Sequence, residues 1–119
     1  MGNFQELRVW QTAKDLAVSI YKLTQSPVFT KDYGLKDQIQ RSAVSIPSNI
    51  SEGDELDTNK QSIKHFFIAK GSSAELLTQI IIAQEIGYLS KIEADRLKDE
   101  CRKISVMLSK LIHARNMKW

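Results

Sequence analysis

Cysteine occurs once, proline twice and histidine twice in 119 residues. The single Cys101 has no partner for an internal disulfide, which suits a reducing, cytoplasmic setting. It falls on an apolar helical stripe, where a core thiol is the commoner role. His65 and His113 lie on separate segments, neither with Cys, Asp or Glu at ligand spacing on its own face, so no metal site is expected. The Glu-x-x-His pair of di-iron bundles is missing. Ser42, Ser45 and Ser48 have no histidine close in sequence to serve as base. Catalytic residues, a cofactor and enzymatic activity are therefore not expected. No run of 18 apolar residues occurs and the start has no signal-like pattern, so a membrane partner is not expected either.

What is present is helical periodicity in a chain of single-domain length, 42% hydrophobic and 26% charged. Residues 1–119 read as one domain. Val9, Ala13, Leu16, Ile20 and Leu23 repeat at spacings 4, 3, 4, 3, with Trp10, Ala17 and Tyr21 widening that face. A first helix is expected from Gln5 to Thr24, stapled by Phe4 and ended by Ser26-Pro27. Val28, Phe29 and Tyr33, in the loop that follows, are expected to plug one end of a bundle. A second helix is expected over Leu35–Glu52, with Leu35, Ile39, Ala43, Ile46 and Ile50 inward, a kink at Pro47 and a stop at Gly53.

Beside that stripe lie Gln38, Arg41, Ser45, Asn49 and Glu52. Their spacing predicts a mostly buried polar seam against the first or third helix. Glu52 and Glu75, if buried, need partners such as Arg41 or Lys70. Thr58 and Gln61 form a capping box that opens a third helix reaching Ile86 before Gly87. It has two apolar strips, one of Ile63, Phe67, Ala74, Leu77 and Ile81, the other of Phe66, Ala69, Leu76, Ile80 and Ala83. Lys70 falls within the first strip, where it must snorkel or pair. The small residues Gly71-Ser72-Ser73-Ala74 suggest close helix approach. Ile68, Ile82 and Ile86 lie away from both strips, with Glu75 and Gln79 between them. They are the expected oligomer interface, since isoleucines in such a row are usually covered.

Ser90 and Glu93 form a second capping box, opening a fourth helix on which Leu97, Cys101, Ile104, Leu108, Leu111 and Arg115 repeat at 4, 3, 4, 3 with Ile112 alongside, and a frayed tail from Asn116. The fold class is all-α, an antiparallel up-down-up-down four-helix bundle. The net charge of +3 is uneven: nine Lys and Arg against ten Asp and Glu up to Ser90, then eight against four from Lys91 onward. Lys98, Arg102, Lys103, Lys110, Arg115 and Lys118 are the candidate phosphate-contacting residues of an RNA- or DNA-binding surface. The alternative is a protein-interaction adaptor or scaffold in which the same charge only aids solubility.

The chain also resembles the four-helix bundle family named for proteins encoded in intervening sequences of 23S ribosomal RNA. The resemblance rests on Leu7-Arg8-Val9-Trp10-Gln11-Thr12-Ala13, Tyr33-Gly34-Leu35, Gln38-Ile39, Arg41 and Ser45-Ile46-Pro47-Ser48-Asn49-Ile50-Ser51-Glu52-Gly53. It continues in Phe66-Phe67-Ile68-Ala69-Lys70-Gly71-Ser72-Ser73-Ala74-Glu75-Leu76, then Gln79 and Gly87-Tyr88. Ser51 stands where the family usually has alanine, and Asp54 to Asp57 replace a more basic, serine-rich loop. The resemblance implies no established enzymatic activity. Related members are similar to the accessory variability determinant protein of diversity-generating retroelements, a pentameric barrel that binds nucleic acid and a reverse transcriptase. It thus implies a homopentamer with a nucleic-acid role.

Overall fold

Four long helices account for most of the computed structural model, which describes residues 3–56 and 58–116. A 3-10 turn at Phe4–Glu6 leads into α1 (Arg8–Leu23); a short α2 (Pro27–Thr30) is followed by α3 (Tyr33–Glu55), α4 (Asn59–Glu85) and α5 (Lys91–Asn116). Helix α3 packs on α1 and α4, α5 packs on α4, and α1 against α5 closes the bundle. The result is a rod of 49 × 20 × 20 Å. No strand occurs among the described residues.

Each boundary has a local cause. Asp32 accepts the Leu35 amide at 3.1 Å and starts α3; Thr58 accepts the Gln61 amide at 3.2 Å and starts α4. At α5 the capping box is reciprocal, with Glu93 N–H on Ser90 Oγ at 3.1 Å and Ser90 N–H on Glu93 Oε1 at 3.0 Å. Gly87, at φ +86°, ends α4 in the left-handed conformation that a side chain would strain. Phe4 stacks edge-on against Trp10 at 5.1 Å.

The core takes the expected stripes of α1, α3 and α5, with Val9, Ala13, Leu16, Ile20, Ile39, Ala43, Ile46, Ile50, Leu97, Cys101, Ile104, Leu108 and Ile112 all buried. Burial pushes the Cys101 thiol up to about 12, so it stays protonated and unreactive at neutral pH.

Four expectations are corrected. Gly53 does not end α3; it lies inside the helix, where a Cβ would meet Phe66 Cε1 at 2.8 Å and Ser62 O at 3.0 Å. Its missing side chain serves helix approach, and α3 runs on to Glu55. Of the three apolar loop residues only Phe29 plugs the end, packed edge-on by Tyr88 at 5.3 Å; Val28 and Tyr33 are exposed. In α4 the second strip is buried throughout, whereas Phe67 and Ala74 of the first are exposed. With only two neighbouring helices, α4 cannot cover both strips. Gly71 faces open space, and the close approach is made instead by Ser72 on Ser45 at 2.8 Å and by Ser73 on the Cys101 carbonyl at 3.0 Å. Asn116 is the last residue of α5, and the rest of the expected frayed tail lies outside the described residues.

Candidate interaction surface

The groove between α3 and α4 is where the polar side chains of the sequence stripe gather. Asn49 Nδ2 donates to the Ser45 carbonyl at 2.9 Å, which leaves Asn49 Oδ1 to accept from His65 Nδ1 at 3.1 Å. His65 in turn lies 3.7 Å from Glu52. Ser42 Oγ donates to Glu75 Oε1 at 2.8 Å. The seam is thus made against the third long helix, but it is not mostly buried. Ser45 and Asn49 are half-buried, while Gln38, Arg41 and Glu52 are exposed. The reason is helical phase: these three lie on the outer flank of α3, beyond the line of contact with α4. Glu52 and Glu75 are exposed rather than buried, and Arg41 pairs at 3.7 Å with Asp37 of its own helix instead. Lys70 is half-buried at the edge of the exposed Phe67–Ala74 surface.

Between α3 and α4, a cleft of about 350 Å³ is lined by Asp37, Gln38, Arg41, Ser42, Glu75 and Gln79. Gln79 is only 7% exposed, and its Oε1 has no hydrogen-bond partner. Around this cleft runs an open apolar face on α4. Phe67 is 55% exposed, Ile68 43%, Ile82 46% and Ile86 52%. Helix α4 is apolar enough over an 18-residue window to pass for a membrane span, yet only 39% of that window is buried. A core helix of this bundle needs one apolar side; α4 has nearly two.

The five described candidate phosphate-contacting residues do not come together on one face. Lys98 is tucked between helices, donating to Gln84 Oε1 at 3.1 Å and lying 3.5 Å from Asp95. Arg102 and Lys103 point outward but lie 3.6 Å from Asp99 and 3.5 Å from Glu100, one turn back. Lys110 is exposed. Arg115 turns inward, donating to Asp54 Oδ1 at 2.7 Å and stacking on Phe66 at 5.2 Å. Lys118 lies outside the described residues.

The clasp between Asp54 and Arg115 was missed in the sequence because Asp54 reads as part of an acidic connection. Its spacing of four from Ile50, itself four from Ile46, was the available signal. The exposure of Phe67 and the outward position of Arg96, flanked by exposed Ile92 and Glu93, had no comparable sequence mark. Among the described residues no cluster of three His, Cys, Asp or Glu is arranged to hold a metal ion.

The family model of the 23S rRNA-intervening sequence protein matches residues 5–110. The chain belongs to this family. The match takes in α1 to α4 and most of α5, ending five residues short of Arg115, so the clasp to Asp54 is only half inside it. A crystal structure from the S23 ribosomal protein family, of a protein of unknown function from Bacteroides thetaiotaomicron, superposes with a TM-score of 0.81. The two are 22% identical, over 87% of this chain and 97% of that one, a likeness that shows the shared helical bundle. No curated protein matches the chain.

Proposed function

We propose that this member of the family is a non-enzymatic interaction module that works as a homo-oligomer in the cytoplasm. The observation that carries the reading is the open face of α4, where Phe67, Ile68, Ile82 and Ile86 are about half exposed although the helix already supplies a full core stripe. Full burial of such a side chain is worth about 1.5–3 kcal/mol; each of the four is about half exposed, so covering it contributes about half of that toward association. The face is on one side only, and a contact between unlike faces closes into a ring when its rotation divides the circle. Five copies is the number that the family resemblance implies; the surface of one subunit sets none.

Nucleic-acid binding is the second reading. It is favoured by the concentration of positive charge from Lys91 onward and by assembly itself, since five copies at +3 carry +15. Against it, Lys98, Arg102, Lys103 and Arg115 each have a carboxylate nearby within the subunit. A salt titration of RNA and DNA retention separates the two readings. Phosphate contacts give a log–log slope of about 0.9 per contact on duplex DNA, whereas an adaptor without nucleic-acid binding gives no retention at low salt.

A further inference from the structure

We propose that the cleft between α3 and α4 receives Arg96 from a second copy of this chain, laid along α4 by the outer strip of α5. The inference rests on the oligomeric reading above and adds the contact surface and its register.

Four observations point to this occupant. The first is an unmet hydrogen-bond acceptor: Gln79 Oε1 is buried at the cleft without a donor, and such a group is costly to leave unpaired. Second, of the two carboxylates that line the cleft Asp37 has Arg41 beside it, but Glu75 has no matching cation. Glu75 accepts only the Ser42 hydroxyl, and no Lys, Arg or His lies within salt-bridge distance of it among the described residues. Asp37 has Arg41 at a loose 3.7 Å. A planar guanidinium offers several N–H donors and positive charge together, the combination that two carboxylates and an amide oxygen can receive.

Third, Arg96 is the mirror case. It is exposed on α5 at the rim of a groove with α1 that Asp15 and Glu100 also line, yet no carboxylate lies within salt-bridge distance of it among the described residues. Fourth, the apolar flanks match in length. On α4, exposed Ile68 and Ile82 are fourteen positions apart with Glu75 midway. On α5, exposed Ile92 and Val106 are also fourteen apart, so with these residues aligned Asp99 falls opposite Glu75 and Arg96 lies three positions, about 4.5 Å, to one side, within reach of its long side chain. Both spans are about 21 Å at 1.5 Å per residue. Asp99, the acid midway along the α5 strip, is accompanied by Arg102 at 3.6 Å, which softens its repulsion from Glu75. Since the row and the strip sit on different helices of one subunit, each copy offers both halves of the contact, the arrangement that a head-to-tail assembly needs.

The test is a charge exchange read by sedimentation across a concentration series. Glu75→Arg and Arg96→Glu are each made singly and then together, with circular dichroism checking that all three fold. Each single change is expected to weaken association roughly thirty-fold or more, as breaking a desolvated ion pair does. The double variant is expected to recover most of that loss. Unchanged association in the singles, or a double variant no tighter than either, overturns this contact while leaving the oligomer itself standing. Loss of RNA retention in Arg96→Glu with unchanged mass also overturns it and gives the strip to nucleic acid. A monomeric wild type defeats the oligomeric reading first. Should Glu75→Arg fail to fold, Glu75→Gln and Arg96→Gln are read for the same weakening.

Discussion

At Gly53 the backbones of α3 and α4 come so close that Ser62 Oγ donates to the Gly53 carbonyl at 2.6 Å. An alanine methyl there meets Phe66, the Ser62 backbone and His65 within 3.1 Å. Gly53→Ala is therefore expected to cost about 1–3 kcal/mol by overpacking, read as a lower melting temperature. Gly71→Ala is the control of opposite sign. Nothing lies within 4 Å of its Cβ position, so it is expected to stabilise by up to about 1 kcal/mol through helix propensity. Equal melting temperatures for the two variants contradict this account. Tyr88 makes a prediction in pH. Its hydroxyl donates to Asp32 Oδ2 at 2.9 Å, and that bond, with some burial and the carboxylate's charge, raises its pKa above the usual 10.0. The folded value being the higher one, the bond's contribution is complete below pH 10 and is lost as pH rises through the folded value. Tyr88→Phe is expected to flatten that alkaline loss in a pH series of melting temperatures.

Among the elements, α3 and α4 hold the arrangement that the sequence stripe promised in outline. Asn49→Leu removes the bonds to Ser45 and His65 from a half-buried site and is expected to cost about 1–2 kcal/mol; an unchanged melting temperature sinks the idea of a structural seam. A larger loss is expected at the clasp between the ends of α3 and α5. Arg115→Met leaves the carboxylate of Asp54, 5% exposed, without its ion-pair partner. The expected cost is about 2–4 kcal/mol, less than for a fully sealed pair because Arg115 is 20% exposed. Helix positions were legible in the sequence because caps are local: Thr58–Gln61, Ser90–Glu93 and Gly87 each act within a turn. The inward strip of α4 was not legible, because both strips are apolar and only the number of neighbouring helices decides between them. The clasp was hidden by distance, with 61 positions between Asp54 and Arg115. The seam was half legible, since its spacing placed the side chains beside α4 while their depth depended on how α3 is rotated against α4.

For the whole molecule, the central claim is that one subunit is incomplete. The open face of α4 with the cleft beside it and the basic, apolar strip of α5 are unlike surfaces on one rod, and the proposed assembly rests on their complementarity. Nucleic acid, where it binds, then meets a summed charge instead of a single +3 subunit. Light scattering coupled to size exclusion, on the purified protein at micromolar concentration, tests the claim most directly. The account predicts a mass that is a whole multiple, greater than two, of the 13.6 kDa chain. A dimer keeps an interface but discards the ring, and a mass of one chain contradicts the account.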